Sequence, residues 1–200
     1  VNDCEKDGKS SVEDTNKLVG YIFSTASKNS FCSQVYAQLI VDLLSYSPSI
    51  KELFNENKSS FINQFDNIEA GNPDENYDKF CELNIVNDQR RASSLFLINL
   101  MKLDVIIPQE IINIILLLQE SLIEMIEKEN CDTIVEEISE NLLILIKNGY
   151  SHISMLSDWT SILDCVKLIS SYKAKSKPSL KHKTIFKHMD ILDAIKKQSK

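Results

Sequence analysis

The chain has 200 residues, 43% of them apolar and 26% charged, and a formal net charge of −7. That make-up suits one globular domain able to bury its own core, and it excludes a mini-protein dependent on staples. Four glycines and four prolines are too few for the tight turns of a β-sandwich or barrel, so the prior moves to helices.

Apolar residues recur at helical spacing along most of the chain. Leu18, Val19, Ile22, Phe23 and Ala26 predict a first helix over Asp14 to Lys28. Asn29-Ser30 interrupts it, and Phe31, Val35, Tyr36, Leu39, Ile40, Leu43 and Leu44 predict a second. After the turn Ser47-Pro48-Ser49, a third runs from Ile50 to Ile68 and falters near Asn57 to Ser60. Gly71-Asn72-Pro73 reads as a loop, followed by a short helix with Tyr77, Phe80 and Leu83. A fourth main helix spans Asp88 to Leu103. Pro108 suits the first turn of a fifth reaching Lys128, apolar around most of its girth and so expected between neighbours. The sixth starts at Asp132 and is expected to stop at Asn148-Gly149, which places His152 in a polar loop. Ser157-Asp158 caps a seventh through Tyr172, and Ser176 to Ser179 break it before a short basic eighth. Helix pairs about 40 residues apart match HEAT-type solenoids and equally admit a globular bundle. The expected layout is a polar or disordered segment over 1–13, a helical domain over 14–195 and a basic tail over 196–200.

Charge is uneven. Residues 173–200 hold nine lysines against two acids, a local +7 that leaves −14 on the remainder. The asymmetry suggests two different partner faces, with a solvated basic tail as the bland alternative. Arginine occurs only at Arg90 and Arg91 while Ile, Asn, Lys and Ser abound, a bias of A/T-rich coding genomes such as those of viruses, parasites or protists. The five scattered cysteines form no Cys-x-x-Cys pair and point to a reducing intracellular compartment. Val105 to Leu118 falls short of the ~20 apolar residues that span a bilayer, so no membrane segment is expected. The chain does not begin with Met, which suggests a piece of something longer.

Chemistry is sparse. No phosphate-cradling glycine loop, nucleophile elbow or His-Glu-x-x-His pair occurs. His182 and His188 are six apart, off one helix face, and read as surface residues rather than metal ligands. No metal, cofactor or catalytic role is expected. Phe186 stands out, an aromatic among Lys181, Lys183, Lys187 and His188. Such a site suits a protein hot spot, or a base-stacking platform with Lys181, Lys183 and Lys187 on RNA phosphates. The plain alternative is that Phe186 packs the last helix down.

Three segments resemble one family. Phe31-Cys32-Ser33-Gln34-Val35-Tyr36-Ala37-Gln38-Leu39, after a helix ending in Phe23 to Ala26, is similar to the second-helix segment of the middle domain of eukaryotic translation initiation factor 4 gamma. Gln89-Arg90-Arg91-Ala92-Ser93-Ser94-Leu95-Phe96-Leu97-Ile98-Asn99-Leu100-Met101-Lys102-Leu103 resembles its basic, small-residue helix, with Ala92 where Gly is usual. Lys183-Thr184-Ile185-Phe186-Lys187-His188-Met189-Asp190-Ile191-Leu192 resembles its closing segment. The cap-binding-subunit motif is absent, since Tyr21, Tyr36, Tyr46 and Tyr77 lack Leu five residues on.

The resemblance, to a viral or protist version of that domain, implies an all-α HEAT-like solenoid of about eight or nine helices. It implies a cytoplasmic, non-catalytic scaffold, monomeric by itself and part of a cap-binding initiation complex. Its partner would be a DEAD-box RNA helicase of the initiation factor 4A type, bound and stimulated. By position, Phe186, Lys187, Asp190 and Lys183 would meet one helicase lobe, and Phe31 and Tyr36 the other. A related middle-domain protein of RNA processing or decay, or an RNA-binding helical module, is the alternative.

Overall fold

The computed structural model describes residues 8–26, 28–46, 52, 54–55, 58–59, 62–69, 71 and 74–199. Among them are seven α-helices, two short 3-10 turns and no strand. The helices are α1 (Gly8–Ala26), α2 (Ser33–Tyr46), α3 (Tyr77–Lys102), α4 (Pro108–Ile126), α5 (Asp132–Ile153), α6 (Trp159–Ser171) and α7 (His182–Gln198). None is long and apolar enough to cross a membrane.

Each helix buries the stripe its period dictates. In α1, Val19, Ile22, Phe23 and Ala26 face inward at i, i+3, i+4 and i+7. Asn29 then opens the 3-10 turn Ser30–Cys32 by accepting the backbone N–H groups of Phe31 and Cys32 on its side chain. The third predicted helix, over 50–68, and the turns at 47–49 and 71–73 lie largely outside the described residues. What is described there is buried Phe54, Phe65 and Ile68 and the 3-10 turn Asn63–Phe65. Phe54 and Phe96 both meet Phe23, at ring-centroid distances of 5.5 Å each.

The sequence pattern suggests a short helix at Tyr77 and a separate one from Asp88. The structure joins them into α3, capped by Asn76, whose side chain accepts the Lys79 N–H at 2.9 Å. The first half of α3 has little core to face, so its periodicity is weak, while buried positions crowd from Asn87 onward. Gly71 lies against this half. A Cβ there would sit 2.7 Å from the Phe80 Cα, so a larger residue would push the backbones apart.

Asn148-Gly149 does not stop α5, which continues to Ile153 and carries His152 in its last turn. Gly149 serves close packing instead. A Cβ on it would come within 2.9 Å of the Ile98 Cδ1, at the crossing of α3 and α5.

The helix α5 is central and packs against α3, α4 and α7; α4 also meets α6, and α6 meets α7. Its Val135, Ile138, Leu142, Leu145 and Ile146 are all fully buried. Truncating one such Leu or Ile to Ala typically costs about 2–5 kcal/mol. Polar bonds fix the register inside this core. Ser94 Oγ donates to the Asn141 Oδ1 at 2.8 Å, tying α3 to α5, and the Gln119 amide donates to the Ile162 carbonyl at 3.0 Å, tying α4 to α6. The result is a packed helical bundle.

Candidate functional site

The segment before α7 is stapled down by Ser179. Its backbone N–H donates to the Ile126 carbonyl, its hydroxyl donates to the Lys128 carbonyl, and the hydroxyl accepts the Cys131 N–H at 2.8 Å. All three partners lie at the α4–α5 junction, which sets where α7 begins. From there Thr184, Ile185, His188 and Ile191 turn into the core.

The basic residues of this segment face the acidic edge of α5. Lys181 pairs with Asp132, Lys183 with Glu136 at 2.6 Å, and Lys187 with Glu140 at 2.7 Å. Just upstream, Lys177 pairs with Glu127 at 2.6 Å. The acids recur four residues apart along α5, so they form one row beneath the lysines. The Glu136 hydrogen bond raises the Lys183 pKa above its ordinary value, with burial opposing. The basic C-terminal segment is therefore neither a free tail nor an isolated positive face, because much of its charge is matched within the fold.

Phe186 stands outside this row and is 57% exposed. Its ring stacks on His182, one turn earlier, at 5.9 Å. It does not pack the last helix down; Ile185, His188 and Ile191 do that. His188 is a correction to the surface reading, since it is fully buried. Its Nδ1 lies 2.9 Å from the Thr184 carbonyl, which can only accept, so the proton sits on Nδ1. The Nε2 atom and the Thr184 hydroxyl meet no hydrogen-bond partner among the described residues. Burial pushes the His188 pKa down, against the opposing effect of its backbone hydrogen bond.

Asp190 is exposed and lines a groove with Leu143 and Lys147 of α5 and Ala194 and Lys197 of α7. A second groove runs along the other flank of the same α5 stretch, lined by Ile144, Asn148, Arg91, Leu95 and Ser30. The surfaces of α7, α5, α3 and the 3-10 turn thus follow one another, and Phe31 comes directly after Ser30. Phe31 is 94% exposed. Tyr36 is half-buried and packs against the core, so of the two residues expected on this side only Phe31 presents a free side chain.

The two arginines are structural. Arg90 is buried and donates to the carbonyls of Gln64 and Asn67 and to the Asn87 side chain, which holds the 3-10 segment against α3. Burial lowers its pKa, with Glu137 opposing. Arg91 grips Glu137 with two nitrogens, at 2.6 and 3.0 Å, and so clamps α3 to α5.

Sequence reasoning missed that Val35 and Leu39 share the exposure of Phe31 rather than the burial of Ala37 and Ile40. The signal was present, since 31, 35 and 39 are four apart while 33, 37 and 40 lie on another side of the helix. Among the described residues no cluster of three or more His, Cys, Asp or Glu side chains is arranged to hold a metal. No known protein family matches the sequence, and no curated protein matches it.

Proposed function

We propose that this chain is a non-catalytic scaffold domain of translation initiation that binds and stimulates a DEAD-box RNA helicase of the initiation factor 4A type. The observation that carries the reading is Phe186, more than half exposed on α7, at the position where the family resemblance puts a helicase contact. An aromatic anchor held on a rigid helix suits a binding hot spot once a partner covers it. Phe31 supplies a second exposed aromatic, some five helices earlier in the chain, for the other lobe. Contacts of α3 with α5, of α5 with α7 and of α4 with α6 support a two-layer stack of the HEAT kind.

The RNA-binding alternative draws less support. Lys181, Lys183 and Lys187 already hold α5 carboxylates, so RNA phosphates would have to displace those partners. A protein surface that contacts Phe186 and leaves the ion pairs in place has no such cost.

The test is a titration of the helicase from the same source with the purified chain, read by calorimetry. A 1:1 complex of micromolar or tighter affinity is expected. Phe186→Ala should weaken it by about 2 kcal/mol or more without lowering the melting temperature. Absence of a complex at micromolar concentrations would remove this reading. A fall of several degrees in melting temperature with affinity intact would make Phe186 a packing residue instead.

A further inference from the structure

Phe31, Val35 and Leu39 form an exposed apolar stripe along α2, and Leu103, in the turn after α3, supplies its other wall. We propose that this stripe is a docking groove for a basic amphipathic helix of a partner protein. The proposal rests on the reading above only in giving the chain a protein partner, and it names the chemistry of the second contact.

Presentation of Phe31 is built into the fold. The Asn29 side chain accepts the N–H of Phe31 at 3.0 Å and of Cys32 at 3.4 Å, which fixes the 3-10 turn. Two residues on, the buried Ser33 hydroxyl accepts the Asn99 amide at 2.9 Å, which ties the start of α2 to α3. The backbone carrying a 94% exposed ring is thus held from both sides. Little backbone ordering entropy is left to lose when a partner covers it.

The partner must bring its own backbone hydrogen bonds. An α-helix face offers no free N–H or C=O groups, so an extended peptide laid on α2 would gain no backbone hydrogen bonds from the groove. A helix satisfies its backbone internally and presents apolar residues at i, i+3, i+4 and i+7 to such a groove. From Phe31 to Asp42 the groove runs about 16 Å at about 1.5 Å per residue, which matches roughly three turns of a partner helix.

Charge selects a basic helix. Among the described residues lining the groove, Asp42 is the one ionised group. Among the described residues its carboxylate accepts the Gln38 amide, at 3.1 Å, and it lies toward the C-terminal, negative end of α2. A lysine or arginine beside the partner's apolar face completes that end, and a glutamate there is repelled.

Two synthetic helical peptides of about 18 residues test this, long enough to hold a helix. Both carry Leu at i, i+3, i+4 and i+7; one has Lys at the flanking positions and the other Glu. They are titrated at physiological salt by fluorescence anisotropy, with the helicase titrated in parallel. The lysine peptide should saturate and the glutamate peptide should not. Phe31→Ala should weaken binding about tenfold or more, while Met155→Ala, another highly exposed apolar residue, should leave it unchanged. Asp42→Lys should reverse the preference between the peptides. Lysine-peptide binding indifferent to Phe31→Ala would overturn the proposal. So would a dimer of the chain that dissociates on Phe31→Ala, because the groove would then belong to a second copy. If the helicase fails to bind and the lysine peptide still binds through Phe31, the helicase reading falls and this one stands.

Discussion

His188 keeps its ring neutral because the fold gives a second proton nowhere to go. Its Nδ1–H is committed to the Thr184 carbonyl, and its buried Nε2 meets no partner among the described residues. The folded pKa therefore lies below the ordinary 6.5, and the unfolded chain takes up the proton first. The sign follows from linkage: this residue takes nothing from stability above about pH 6.5, and its cost grows as pH falls toward the folded value. His188→Leu should shrink the stability lost between pH 7 and pH 5.5, measured by urea denaturation at both values, and parallel losses in both proteins would contradict this. His188 reads as a surface residue because it stands among lysines, six residues from His182. Only the inward helix spacing of Thr184, Ile185, His188 and Ile191 marks it as buried. Arg90 carries no sign of burial in the sequence, because the carbonyls of the 3-10 segment that satisfy it inside the fold are remote in sequence.

At the scale of elements, the row of ion pairs between α5 and α7 has more bearing on partner choice than on stability. Pairs of this exposure contribute roughly 0–1 kcal/mol each. Replacing Glu136 and Glu140 together by Gln should therefore cost only about 1 kcal/mol. It should also free Lys183 and Lys187, raising affinity for single-stranded RNA and steepening its salt dependence, as read by anisotropy at two salt concentrations. A wild-type protein that already binds RNA tightly with a steep salt slope would contradict this arrangement. The helices α4 and α6 were legible nearly to their ends, since their apolar stripes are long and Pro108 marks a start. The helix α7 was expected short, yet it runs from His182 to Gln198 and takes Lys196 and Lys197 into its last turn. The end of α5 was not legible. Asn-Gly carries the same signal whether it stops a helix or admits a neighbour, and the deciding contact, Ile98, is on another helix. The first half of α3 was legible as a helix with Tyr77, Phe80 and Leu83, but its continuity with the helix from Asp88 was not, because that half makes few core contacts and its apolar period is weak.

Over the whole molecule, the large charge asymmetry of the sequence is partly cancelled in space. The basic segment lies on the acidic row of α5, and Phe186 on α7 and Phe31 before α2 are exposed aromatics outside that row. The all-helical class was legible from scarce glycine and proline and from helical periodicity. Bundle or solenoid was not, since both satisfy the same period and differ only in which helices touch. If the two aromatic sites hold the two lobes of one helicase, the domain works by favouring one lobe arrangement, to the extent that it binds that arrangement better. Scaffolding of this kind must appear in turnover, whereas simple tethering need not. The direct measurement is steady-state RNA-dependent ATP hydrolysis by the helicase at saturating concentrations of this chain. Turnover should rise severalfold, and should fall back toward the helicase's own rate when either Phe186→Ala or Phe31→Ala weakens one of the two contacts. An unchanged rate in a complex shown to be fully formed would contradict the clamp.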